Sequence, residues 1–311
     1  MASGYTTSSL TAYVEVNRDV LIRGVVLGGV KGDTIQNCAK QLGVKEKERL
    51  NFLNVDPVLQ DGKGCGFSAS GNTDFTEREI ECAIIKVNDQ WCPDDLLGKF
   101  AEYQVRLGAN ANAENMPFEE EILNGIEEKI AEKMEKLVWQ GSKTGGDLID
   151  GFLTQATTGA DSGSTSAVTI ATGTSVYDAI GLVVANLPEV IADKAYIFVA
   201  PAIYRAYIQD LVKKNYYHYD PANGEPTDMY FPGTNVKVHK TIGLMGDKTH
   251  IYANVWENMA YGTDLMNDKE EFRLWFSDDD DLFKLKVKWN AGVKTYFPDV
   301  VVVGTASANL V

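Results

Sequence analysis

The absences in this chain exclude more chemistry than its motifs suggest. No run of residues approaches the roughly 18 consecutive apolar positions that cross a bilayer as a helix, and no basic segment followed by an apolar core opens the chain. Neither membrane insertion nor secretion is indicated, and synthesis in the cytosol is expected. Histidine is scarce, at three residues, and the four cysteines, Cys38, Cys65, Cys82 and Cys92, form no CxxC pair. His218, His239 and His250 lie far downstream of them, so no zinc-ligand spacing arises and no thiol has an activating histidine nearby in sequence. No GxSxG nucleophile elbow is present. Reduced, packed thiols are expected, with Cys65, in the glycine-rich GKGCGF, the exposed one. His239 and His250 sit in strand-like runs and read as structural.

Positive charge is also short. Twenty-nine Lys and Arg against 44 Asp and Glu leave a net charge of −15, which argues against a general nucleic-acid-binding surface while leaving room for a local basic face. At 311 residues, 44% hydrophobic and 23% charged, the chain has the composition of a soluble globular protein with two or more packed units. Two near-motifs fail on inspection. GSKTGG at 141–146 has Ser142 where a phosphate loop needs glycine before its lysine, and it follows a helix rather than joining strand to helix. Asp278 to Asp281 lack the alternating spacing and distant glutamate of a calcium loop, and read as a solvated hairpin turn. The residues thus supply no catalytic, cofactor or metal site. Tyr216, Tyr217 and Tyr219, beside Pro221, suit either a substrate platform or a protein–protein contact, and the second reading is preferred.

The most regular stretch is residues 117–140, PFEEEILNGIEEKIAEKMEKLVWQ. Pro117 suits a first helical position, Glu119 to Glu121 favour the positive end of the helix dipole, and Gly141 closes the helix. Phe118, Ile122, Ile126, Ile130, Met134 and Val138 recur every fourth residue, with Leu123 and Leu137 alongside, drawing one apolar stripe down a charged cylinder. Such a helix, roughly 36 Å long at 1.5 Å per residue, needs an extended partner surface. Around it the pattern predicts a short helix within 8–29, strands over 49–56 and 79–88 joined by a glycine-rich tip, and a flexible boundary over 141–166. Beyond the boundary, helices over 175–187 and 201–214 and strands over 195–200, 236–239 and 250–254 make a compact α/β unit. A hairpin over 271–277 and 282–290, and a buried strand over 296–303, close the chain. In the second hairpin arm Phe283, Leu285, Val287 and Trp289 alternate with Lys284, Lys286 and Lys288, one face apolar and one cationic.

The order of these elements resembles the major capsid protein of tailed bacteriophages, the Hong Kong 97 fold. The resemblance is carried by FEEEILNGIEEKIAEKMEKLVWQG as the spine helix and by TSVYDAIGLVVANLPEVIADKAYIFVAPAIYRAYI as the start of an axial domain. NMAYGTDLMNDKEEFRLWFSDDDDLFKLKVKWNAGVKTYF resembles the return into a peripheral domain. It implies an α+β chain with an N-terminal arm over 1–45 and an E-loop over 46–90, its tip near Asp61 to Thr73. A peripheral domain follows over 91–173 and 256–311, containing the spine helix, with an axial domain over 174–255. It further implies a non-enzymatic shell subunit that self-assembles as hexamers and pentamers into an icosahedral head around double-stranded DNA. On this reading the chain is found in the virion after assembly in the host cytoplasm, with portal, scaffolding or decoration proteins as partners. DNA contact would be non-specific, and no membrane is involved. Cys65, Phe67, Tyr216, Tyr217 and Tyr219 become assembly-interface candidates, and the apolar stripe from Phe118 to Val138 becomes spine packing. Because the arm begins almost at Met1, any scaffold is expected to be a separate chain or already removed. An encapsulin-like nanocompartment shell is the alternative within the same fold.

Overall fold

The computed structural model describes residues 7–60, 70–92, 118–216, 228–264 and 271–311. The chain opens with helix α1 (Thr7–Arg23), which runs into a π-helical turn (Gly24–Gly28) and, after a bend, the one-turn helix α2 (Thr34–Asn37). Val14, Leu21, Val25 and Val26 are buried along this segment, where the sequence predicts a short helix. A short strand β1 (Ala39–Leu42) follows, and then the two long arms β2 (Lys47–Asp56) and β3 (Asn72–Glu81). These pair antiparallel over their full length, from Lys47 opposite Glu81 to Asp56 opposite Asn72, as a free-standing ribbon.

The sequence predicts one strand over 79–88, but the structure divides it at Cys82. Glu81 ends β3, and β4 (Ala83–Trp91) belongs to a different sheet. The cause is a slip of phase. Ile80 and Cys82 are buried, then Ile84 is exposed and Ile85 is buried, so the inward face moves from even to odd positions. Gly292 lies beneath the crossing, where a Cβ would come within 2.2 Å of the Glu81 carbonyl oxygen.

β4 joins a five-stranded sheet whose centre is β12 (Leu282–Thr295). β12 pairs with β4 on one side and, on the other, with β10 (Met259–Thr263) and β11 (Glu271–Ser277), while β1 adds parallel to β10. Phe283, Leu285, Val287 and Trp289 point into the core, and the intervening lysines stay partly exposed. Helix α3 (Phe118–Gln140) packs on the 3-10 turn at Ile242–Leu244 and touches α1, which itself packs on β11.

Past α3, the sequence predicts a flexible boundary, and here the structure differs. Gly141 is held by the Leu137 carbonyl at 2.9 Å, and Gly151 donates to the Gly141 carbonyl at 2.8 Å. Helix α4 (Phe152–Thr157) then packs Phe152 and Leu153 into the core. The glycines serve close packing rather than freedom: a Cβ on Gly151 would lie 2.4 Å from the Trp139 backbone.

The remaining elements build a six-stranded sheet, in order β5 (Ser166–Ile170), β13 (Val302–Ala306), β9 (His250–Asn254), β6 (Tyr196–Val199), β8 (Lys237–Lys240) and β7 (Asp228–Tyr230). Helices α5 (Val176–Ala185) and α6 (Pro201–Lys213) pack on it, α5 opened by Ser175 as N-cap and α6 by Pro201. β5 and β13 are hydrogen-bonded into this sheet although the sequence puts 166–170 and 302–306 outside the 174–255 unit. The strand predicted over 296–303 is likewise displaced. Pro298, with no N–H to give a ladder, opens a 3-10 turn (Pro298–Val300), and the strand starts only at Val302.

Candidate assembly surfaces

Three places concentrate the residues that could serve assembly: the long helix, the ribbon, and the aromatic end of the six-stranded sheet. On α3, Ile130, Met134 and Val138 are buried and Ile122 and Ile126 half-buried, together with Leu123 and Trp139. Phe118 opens the helix, and its side chain lies outside the described residues. Each fully buried aliphatic side chain contributes about 1.5–3 kcal/mol relative to exposure. The stripe therefore makes α3 part of the core from Leu123 to its end.

The lower half of α3 also carries a buried polar knot that the spacing of apolar residues gives no hint of. Trp139 donates its indole N–H to Thr34 Oγ1 at 2.6 Å and contacts the rings of Phe152, Phe198 and Tyr252. Glu135 is fully buried and accepts the Ile35 N–H at 2.9 Å. Asp33, also buried, accepts from the Thr34 N–H at 2.9 Å, from the Ile242 N–H at 2.7 Å and from the Thr241 hydroxyl. N-terminal segment, long helix and six-stranded sheet are thus tied at one point. Burial, then the nearby Asp33, pushes the Glu135 carboxyl up to about 8, and burial alone pushes Glu127 up to about 7.

The ribbon is anchored at its root and open along its length. Leu50 and Ile80 are buried with Val44, Cys82 and Ala260, and Phe52 meets Tyr296 and Phe297 at 5.6 and 4.9 Å. Arg78 pairs with the buried Asp161, which Lys294 of β12 also reaches at 3.2 Å. A mixed-charge cleft of about 650 Å³ lies between root and body. Lys47 and Arg49 pair with Glu79 and Glu77 at 3.1 and 3.3 Å, all exposed, and Lys47, Glu77 and Glu79 border the cleft. Beyond them Leu53 and Phe75, directly opposite one another, are 59% and 78% exposed, and Leu59 is fully open. The alternation RLNFLNVD could have revealed that Leu53 faces away from Leu50 and Phe52. Cys65 and Phe67, at the tip, lie outside the described residues.

At the end of the six-stranded sheet, Tyr216 is 57% exposed and leans on Tyr177, which stacks on Tyr207 and Phe231 under the Lys214 ammonium. Tyr217 and Tyr219 are outside the described residues. The sequence singles out Tyr216 but not its partners, which come from α5, α6 and the segment after β7. Elsewhere, Asp278 to Asp281 form the exposed turn between β11 and β12, with Asp280 on Lys284. No cluster of three or more metal-ligating side chains occurs among the described residues, and none of their helices is long and apolar enough to cross a membrane. Cys38 and Cys82 are buried free thiols, each pushed up to about 12 chiefly by burial, and Cys92 is half-buried. His239 is buried beside Phe198 and Trp256, and His250 contacts Asp247 at 2.8 Å.

No protein-family model matches the sequence, and no curated protein matches it. Solved structures do. A chain of the satellite phage P4 procapsid, a structure that includes the size determination (Sid) protein, superposes with a TM-score of 0.60 at 10% identity, covering 100% of this chain and 94% of that one. A chain of Gordonia phage Cozz gives 0.55 at 12% identity, covering 89% and 87%. The capsid of an empty GTA particle gives 0.54 at 14% identity, covering 90% and 93%. The chain therefore has the fold of phage capsid proteins.

Proposed function

We propose that this chain is the major capsid protein of a tailed bacteriophage, self-assembling into the icosahedral shell that encloses its double-stranded DNA. The observation that carries the reading is the superposition over the whole chain on a procapsid chain of nearly the same extent. The layout supports it in physical terms. A ribbon of two ten-residue strands anchored only at its root buries little on its own molecule, and an isolated two-stranded ribbon is marginal in water, so its length suits contact with neighbouring copies. In this reading residues 1–45 are the arm, 46–90 the E-loop and α3 the spine. The peripheral layer is built on the five-stranded sheet. The axial layer of 174–255 takes in 166–170 and 302–306 through their strand pairing. The exposed Tyr216 and its aromatic neighbours are contact residues around the capsomer axis. The role is structural, the location the virion, and portal, scaffolding or decoration proteins are companions.

Sedimentation velocity of the purified chain across protein and salt concentration tests this. Species of capsomer size or larger, in concentration-dependent exchange with the subunit, are expected. A single monomer boundary under every condition would overturn the reading.

A further inference from the structure

Helix α3 turns two acids toward the N-terminal segment, and each is seated where that segment has a glycine. Glu127 lies against Gly24, where a Cβ would come within 2.8 Å of Glu127 Oε2. Glu135 lies against Gly29, where a Cβ would come within 3.2 Å of Glu135 Oε1. Positions i and i+8 belong to one stripe of a helix, about 12 Å apart along its axis, so both carboxyls line the same seam.

Nothing at the seam compensates their charge. Glu127 Oε1 and Glu135 Oε2 are buried with no hydrogen-bond partner among the described residues. Burial alone acts on Glu127. Glu135 is faced by Asp33 and Cys38 of the N-terminal segment, and His239 of β8 stands behind Asp33, its Nε2 4.0 Å from Oδ1. The 3-10 turn at Ile242–Leu244 brings no titratable side chain. No cation among the described residues favours either glutamate in its charged form.

Ionising Glu127 or Glu135 therefore puts an unpaired charge into a dry seam, at Glu135 beside a second carboxyl. Relief requires water, and the N-terminal side is the part with least to lose. Past its π-helical turn it holds a one-turn helix and then the four-residue β1, whereas α3 is packed into the core. The bonds that cross the seam converge on the same few groups: Ile35 N–H to Glu135, Trp139 to Thr34, and Asp33 to Thr241 and Ile242.

We propose that residues 24–38 form a proton-gated clasp, closed on α3 while Glu127 and Glu135 are protonated and lifted from it when they ionise, with both sheets remaining folded. The clasp is a property of the single subunit and stands whether or not the shell reading does.

Two thiols in the chain report on it. Cys38, at the end of the clasp, is 6% exposed, and Cys82, where β3 gives way to β4, is 7% exposed. Both are pushed up to about 12 chiefly by burial, so Cys82 controls for reagent chemistry and for global unfolding. The full chain is alkylated briefly with iodoacetamide at pH 6 to 9 and read peptide by peptide by mass spectrometry. The ratio of Cys38 to Cys82 labelling is expected to rise about ten-fold or more, centred between about pH 7 and about 8. In Glu127→Gln with Glu135→Gln it should stay low and flat. Hydrogen exchange of the wild type over the same pH series gives an answer even if that variant folds poorly: residues 24–38 should lose protection relative to β6 and β9. A flat wild-type ratio, or protection that holds in 24–38, overturns the clasp. So does a rise of both thiols together, which is global loosening, or a rise that persists unchanged in the glutamine variant, which places the proton elsewhere.

Discussion

Glu127 and Glu135 are acids on an otherwise ordinary helix whose surroundings favour the protonated form. Glu135 is fully buried, and Glu127 Oε1 is buried with no hydrogen-bond partner among the described residues. Their carboxyls, ordinarily near 4.5, are pushed up to about 8 and about 7. The folded chain thus holds protons that the unfolded chain releases. The stability this contributes is whole below about pH 4.5 and is lost as pH rises through about 7 for Glu127 and about 8 for Glu135. Thermal melts from pH 6 to 9 should therefore fall more steeply for wild type than for a Glu127→Gln, Glu135→Gln variant, which keeps the shape without the charge. Parallel slopes would contradict this. Gly243 is a second residue whose role follows from space alone. A Cβ there would lie 2.0 Å from Trp139 Cδ1 and 2.6 Å from the Glu135 carbonyl oxygen. Gly243→Ala should lower the unfolding free energy by about 1–3 kcal/mol through overpacking, read as a lower denaturant midpoint, and an unchanged midpoint would show that the contact relaxes freely.

Among the elements, the ribbon is tied to the body in part by a buried ion pair. Arg78 reaches across to Asp161, and among the described residues only Lys294 would remain to pair with that buried carboxylate if Arg78 were lost. Arg78→Met should cost about 1.5–3 kcal/mol. Hydrogen exchange should quicken in β2 and β3 while the six-stranded sheet keeps its protection; uniform loss throughout the chain would mean the ribbon is not a separate unit. The elements also show what residue order reveals. α3 was legible because Ile122, Ile126, Ile130, Met134 and Val138 recur every fourth residue and Gly141 closes the helix. The division of 79–88 between two sheets was not, since no glycine or proline marks Cys82 and only the shift from even to odd buried positions betrays it. In 141–166 glycines suggested freedom, whereas Gly141 and Gly151 are demanded by backbones that approach too closely for a side chain. Among the interface candidates, Tyr216 could be picked out by its aromatic surroundings in sequence. The alternation of RLNFLNVD already sets Leu53 off from Leu50 and Phe52, whereas the exposed Phe75 emerges only when the two strands are paired and it stands opposite Leu53.

On the scale of the whole molecule, the N-terminal segment, the long helix and the six-stranded sheet are joined through one buried knot of Asp33, Thr34, Glu135, Trp139 and Thr241. The segments involved are a hundred or more residues apart in sequence, 33–35 against 135–139 and 241–242, which is why composition and periodicity give no warning of it. The ribbon stands outside that knot, with its root fixed and its outer face free for another molecule. The fold is shared with phage capsid chains, and the central claim is that many copies of this chain close a shell. Electron microscopy of the purified, full-length chain at assembling concentration tests it most directly. The account predicts closed particles whose reconstructed walls are built from hexamers and pentamers of this chain; dispersed single subunits at every concentration and salt would contradict it.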